Sequence, residues 1–141
     1  MRAVHKILSS NDLSLTGSHQ GGICVPKSIV DLDFFPRLNS SEYNPRLVLP
    51  IKYAGTVFNF TFIYYNNRLH GRGTRNEYRL TGMTKFFRIS SCKVGDTLKF
   101  IRDKGSYKIE IIRKDISPEE DFEEKEKPLV IRANWYFDME D

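Results

Sequence analysis

The chain has 141 residues and a mass of 16.5 kDa, with 22 Lys and Arg against 18 Asp and Glu, a formal charge of +4 and a pI near 9.1. Hydrophobic residues at 40% supply one ordinary core and exclude a disordered, collagenous or disulfide-stapled chain. No apolar run is long enough to span a bilayer as a helix, and the first residues carry no secretory pattern, so a soluble cytoplasmic protein is expected.

In chain order, residues 3–8 read as a short strand. The tract Thr16-Gly17-Ser18-His19-Gln20-Gly21-Gly22 sets hydrogen-bonding side chains between glycines, either as a polar turn or as an arm lying along a groove. A strand at residues 22–25 follows. Pro26 ahead of Lys27-Ser28-Ile29-Val30-Asp31-Leu32 fits a short helix, stopped by Pro36. Residues 46–53 and 56–65 pair across Ala54-Gly55. In the second of these, Phe58, Phe60, Phe62 and Tyr64 share one face, with Val57, Asn59, Thr61, Ile63 and Tyr65 on the other.

Residues 66–79 form the densest basic window, with Arg68, Arg72, Arg75 and Arg79, a single acid (Glu77) and no Lys. Gly71 and Gly73 and the pair Asn66-Asn67 predict a mobile cationic loop leading into a strand at 77–80. Residues 83–87 fit one helical turn. Residues 97–102 and 107–113 form a second hairpin about the turn at 103–106, and residues 129–136 form a last strand. Many strands with one or two small helices predict a closed or nearly closed barrel.

The charge is segregated. Residues 115–126 hold seven acids and one Lys, a net of −6. The remainder, with 21 basic against 11 acidic residues, carries +10. A basic body with a separate acidic loop points to a polyanionic partner for the body.

Candidate chemistry is sparse. Cys24 and Cys92 form no paired motif and read as free thiols in a reducing compartment. A zinc site from both cysteines with two of His5, His19 and His70 is possible on paper, but the ligands are scattered. The carboxylates near Lys125 imitate a metal-nuclease cluster only locally, and no phosphate-binding loop or nucleophile elbow is present, so no catalytic or metal site is expected.

The side chains instead suit reading bases. Arg75 and Arg79 can dock on guanine, Asn76 on adenine, and Glu77 can accept from the cytosine amino group; on the other projection, Gln20 suits adenine and His19 guanine or phosphate. Arg75, Glu77 and Arg79 can equally form a ladder of surface ion pairs on a strand. A small nuclease with an unrecognised site is a rival reading. Single-stranded RNA binding is a weaker one, because the aromatics follow core-facing alternation.

Gly17-Ser18-His19-Gln20-Gly21-Gly22-Ile23 and Thr74-Arg75-Asn76-Glu77-Tyr78-Arg79, found in this order, resemble the amino-terminal effector domain of EcoRII-type restriction endonucleases. The hairpin containing Val94-Gly95-Asp96-Thr97-Leu98-Lys99-Phe100 is similar to the plant B-three DNA-binding domains. The resemblance implies a mainly β fold, an open seven-stranded pseudobarrel with one or two short α-helices, spanning residues 1–137 with the acidic loop 115–127 inside it. Residues 138–141 would be an acidic tail or the start of a linker.

It further implies a DNA-binding set of Ser18, His19 and Gln20 on a first arm (residues 14–24), and Arg68, Arg72, Arg75, Asn76, Glu77 and Arg79 on a second (residues 68–79). Together the arms would read a short G/C-rich site in the major groove of double-stranded DNA. Cys24 and Gly73 depart from the family's aromatic residue and lysine. No cofactor is expected for binding, Mg²⁺ belonging only to a separate catalytic domain, fused or associated. The isolated domain is expected to be a prokaryotic, cytoplasmic monomer without membrane contact. A standalone DNA-binding regulator with no nuclease partner is the alternative.

Overall fold

Alternation of aromatic and β-branched residues with polar ones builds the described residues into one nine-stranded sheet. The computed structural model describes residues 1–13, 21–114, 129–132 and 134–137. The strands are β1 (Arg2–Ile7), β2 (Gly22–Val25), β3 (Arg46–Tyr53), β4 (Thr56–Tyr65), β5 (Glu77–Thr81), β6 (Thr97–Asp103), β7 (Ser106–Ile112), β8 (Leu129–Arg132) and β9 (Trp135–Phe137). Helices α1 (Lys27–Asp31) and α2 (Thr84–Ser90) and a 3-10 turn at Asn67–His70 complete the described elements. The acidic segment and residues 138–141 lie outside the described residues, and no described helix is long and apolar enough to cross a membrane.

The sheet order is β2-β5-β4-β3-β7-β6-β1-β9-β8. Its pairs are antiparallel except a short parallel contact, Ile51 with Tyr107 and Lys52 with Lys108, where β3 meets β7. The two end strands, β2 and β8, are not paired with each other, so the sheet is open rather than closed by a ladder. The described residues form nine strands, against about seven expected. One reason is that the single last strand expected at 129–136 is a hairpin: Asn134, at φ 70°, turns β8 back on β9. Helix α2 runs longer than the one turn expected, because Phe86, Phe87 and Ser90 keep a buried face through its whole length.

Both predicted hairpins form about two-residue turns with positive φ at each position, Ala54 with Gly55 and Lys104 with Gly105. This mirror-image turn matches strand twist. On β4 the alternation holds: Phe58, Phe60, Phe62 and Tyr64 are buried. Ile63 is buried on the opposite face, at 1% exposure.

The interior is aromatic. After α1, Phe34 and Phe35 turn inward. The Phe35 ring lies 5.2 Å from Phe62, 5.9 Å from both Phe100 and Tyr107, and 6.5 Å from Trp135. The Tyr107 hydroxyl donates to the Phe34 carbonyl at 2.6 Å, which satisfies a polar group that burial would otherwise strand. Burying each such ring contributes about 1.5–3 kcal/mol, so this cluster fixes how the sheet curls.

Candidate nucleic-acid interface

The two segments expected to read bases emerge from opposite ends of one ribbon. β2 and β5 pair antiparallel, Gly22 opposite Thr81 and Val25 opposite Tyr78. Residues 14–20 lead through Gly21 into the start of β2, beside Thr81; the Arg-rich stretch leads into the start of β5 at Glu77. Four strand residues separate these roots, about 13 Å, close to the roughly 12 Å width of the DNA major groove. The close approach of the strands needs glycine: a Cβ on Gly22 would meet the Leu80 carbonyl oxygen at 2.7 Å.

Ser18, His19 and Gln20 lie outside the described residues. The stubs on either side are held. The Gly21 N–H donates to Thr84 Oγ1 at 2.8 Å, and the Met83 N–H donates to the Gly21 carbonyl at 3.0 Å. On the other side, the Ser9 N–H donates to Asp12 Oδ2 at 2.7 Å, and the same carboxylate oxygen lies 3.2 Å from Lys6 Nζ in a buried ion pair.

The Arg-rich stretch departs from the expected mobile loop. A 3-10 turn forms at Asn67–His70, ended by Gly71 at φ 67°. The Arg68 N–H donates to the Arg75 carbonyl at 3.0 Å and the Arg72 N–H to the Asn67 carbonyl at 2.9 Å, so the stretch closes on itself. Its base is clasped to residues 39–45. The Asn66 N–H donates to Asn44 Oδ1 at 2.9 Å, the Asn44 N–H donates to Asn66 Oδ1 at 2.7 Å, and Asn66 Nδ2 donates to the carbonyls of Ser40 (3.1 Å) and Glu42 (2.7 Å). Asn66 is fully buried.

Arg68, Arg72 and Arg75 are exposed; Asn76, Glu77 and Arg79 are half-buried. The Arg72 guanidinium lies 4.5 Å above the Tyr43 ring, whose hydroxyl accepts from Asn67 Nδ2 at 2.8 Å. Arg75 lies 3.6 Å above the Tyr65 ring and donates from Nε to Glu77 Oε2 at 2.7 Å, and Glu77 Oε1 is 4.0 Å from Arg79 Nη1. Asn76 Oδ1 accepts from the Tyr64 hydroxyl at 2.7 Å, which leaves its amide nitrogen as the donor end. The ion-pair ladder is therefore real in the free protein. It orders the side chains that would read bases, and a carboxylate with four lone-pair positions can hold Arg75 and still accept from another donor.

The strip between the arms is also positive. Register places Cys24, Arg79, Ile63 and Arg46 side by side across β2, β5, β4 and β3, with Thr81 and Thr61 in the next row. Burial, and then the Glu77 carboxylate, push the Cys24 thiol above its ordinary range, so it stays protonated; burial does the same to Cys92. His5 stacks on Tyr136 at 4.6 Å and His70 Nε2 is 3.3 Å from the Ser40 carbonyl oxygen. Among the described residues no three His, Cys, Asp or Glu come together as metal ligands.

Tyr43, Tyr65 and Arg46 were not among the residues picked from sequence. Alternation along β4 put Tyr65 on the outward face, and pairing that strand's end with Glu77 would have placed it under Arg75. Nothing local to Tyr43 marks its approach to Arg72.

Comparison with known proteins gives three results. The family model described as restriction endonuclease EcoRII, N-terminal, matches residues 2–136. The type II restriction enzyme EcoRII of Escherichia coli is 40% identical over 80 residues, which cover 54% of this chain and 19% of that enzyme, so the match spans about a fifth of the relative's length. Among solved structures, an Arabidopsis FUS3–DNA complex contains a chain of the same fold, with a TM-score of 0.60 and 19% identity over 79% of this chain and 96% of that one.

Proposed function

This chain belongs to the family of the N-terminal domain of restriction endonuclease EcoRII, and from that premise we propose that it reads a short G/C-rich site in double-stranded DNA through the major groove. The observation that carries the proposal is the ordered row Arg75, Asn76, Glu77 and Arg79, at one end of the ribbon whose other end receives residues 14–20. Arginine forks suit guanine, the Asn76 amide suits adenine, and Glu77 suits the cytosine amino group. His19 and Gln20, with Ser18, would read from the opposite root. Arg68 and Arg72, exposed and outside the ladder, suit phosphates. A chain of the same fold is held in a complex with DNA, which supports the reading.

The parent protein is a type II restriction enzyme in this proposal, with the cutting centre in another domain. Binding rests on hydrogen bonds and ion pairs and needs no cofactor; Mg²⁺ would serve cleavage elsewhere. The test is selection from a random duplex library at physiological salt. A short enriched G/C-rich motif is expected, and a pool without any enriched motif would refute sequence reading. Incubation with plasmid and Mg²⁺ should leave the DNA intact; divalent-dependent cutting by the pure domain would relocate the catalytic centre here.

A further inference from the structure

Tyr65 is the last residue of β4. Alternation turns Phe58, Phe60, Phe62 and Tyr64 into the core and Tyr65 out, and register sets it opposite Glu77. Its ring therefore lies beneath Arg75, two residues before Glu77, at 3.6 Å from the guanidinium carbon. The Arg75 Nε–H is taken by Glu77 Oε2 at 2.7 Å. Ring and carboxylate thus hold the guanidinium from two sides, Tyr65 beneath its central carbon and Glu77 at its Nε edge. The terminal nitrogens, Nη1 and Nη2, have no partner among the described residues, and the side chain is exposed.

A bidentate contact to guanine O6 and N7 needs two parallel N–H donors coplanar with the base. A free arginine must lose rotamer freedom to provide them; Arg75 is already held. Arg68, also exposed, has no described ring beneath it.

We propose that Tyr65 is a specificity-positioning residue, whose ring sets the plane in which Arg75 engages one guanine. This rests on Arg75 being a base reader, as proposed above. It makes a division of labour inside the arm: Arg75 is locked for reading, and Arg68 remains adaptable for phosphate.

The test compares wild type, Tyr65→Leu, Tyr65→Phe and Arg75→Ala on the selected duplex and its single-pair variants. Tyr65→Leu keeps bulk but removes the π face. It should lower the preference at one guanine roughly threefold to thirtyfold, leaving random-duplex affinity and its salt slope unchanged. Tyr65→Phe should restore the preference, and Arg75→Ala should abolish it at the same position. If Arg75→Ala loses that preference and Tyr65→Leu keeps it, Tyr65 has no positioning role. If Arg75→Ala keeps every preference, Arg75 is not a reader, and the role of Tyr65 falls with it. Loss spread evenly over all positions would mark Tyr65 as merely structural and overturn the proposal. Should Tyr65→Leu not fold, the free wild-type domain decides: the Arg75 Cδ and Nε protons should show upfield ring-current shifts at neutral pH, and shifts like those of the other exposed arginines would overturn the positioning role of Tyr65.

Discussion

The Trp135 indole N–H donates to the Cys24 carbonyl at 2.8 Å, linking residues 111 apart in sequence. Cys24 is in β2, one end of the sheet; Trp135 is in β9, next to the other end. Among the described residues this hydrogen bond bridges the two ends of the open sheet where no strand ladder does, and the carbonyl it reaches belongs to the ribbon from which both arms lead. Trp135→Phe should destabilise the domain by about 2–4 kcal/mol, combining an unpaired buried carbonyl with a cavity. Amide exchange in β2 should accelerate more than in β6; uniform acceleration would show that the bond does not hold the ribbon in place.

Asn66→Ala removes three side-chain hydrogen bonds at a fully buried position and leaves the Asn44 N–H and two carbonyls without their partner. A loss of about 2–4 kcal/mol in urea unfolding is expected. Because residues 39–45 carry Tyr43 to Arg72, the same variant should also weaken binding to all duplexes alike.

Asp96 predicts acid sensitivity. It is buried and accepts from the Lys93 N–H at 2.9 Å, the Lys114 N–H at 2.8 Å and the Arg113 guanidinium at 3.3 Å. Burial alone would raise its carboxyl, and these bonds outweigh it, holding the carboxyl below its ordinary range. A folded-state value below the unfolded one gives stability that is fully present above about pH 4 and is lost as pH falls through the folded value. Asp96→Asn should be less stable at pH 7 and should show a flatter stability profile below about pH 4 than wild type; parallel profiles would contradict the assignment.

Glu77→Ala should have effects of opposite sign. Removing a carboxylate from a basic arm tightens random-duplex binding at low salt. Removing the acceptor and the Arg75 tether relaxes preference at one base pair, by about 1–3 kcal/mol. Titrations against single-pair variants at two salt concentrations separate these; unchanged ratios would remove Glu77 from the reading set.

Legibility from sequence followed the range of the interactions. Period-two alternation and the Ala54-Gly55 and Lys104-Gly105 turns are local, and the hairpins they predict formed as read. The β8–β9 turn depends on Asn134 adopting a left-handed conformation, which Asn tolerates without announcing it. Lys6, inside a strand and buried against Asp12, reads locally as a surface residue. The order of the Arg-rich stretch was missed because it comes from Asn44 and Tyr43, more than twenty residues upstream, and glycine content alone suggests mobility. Of the two readings of Arg75, Glu77 and Arg79, the ion-pair ladder is observed, and the proposed base reading would draw on the same atoms.

The most direct measurement is the affinity of the intact domain for its selected duplex, relative to a random duplex of equal length, across a salt series. A specific site should bind at least about a thousandfold more tightly at physiological salt, with single-pair substitutions each costing about 1–3 kcal/mol. Equal affinities, falling together as salt rises, would reduce the molecule to a general polyanion binder and contradict sequence reading by the two arms.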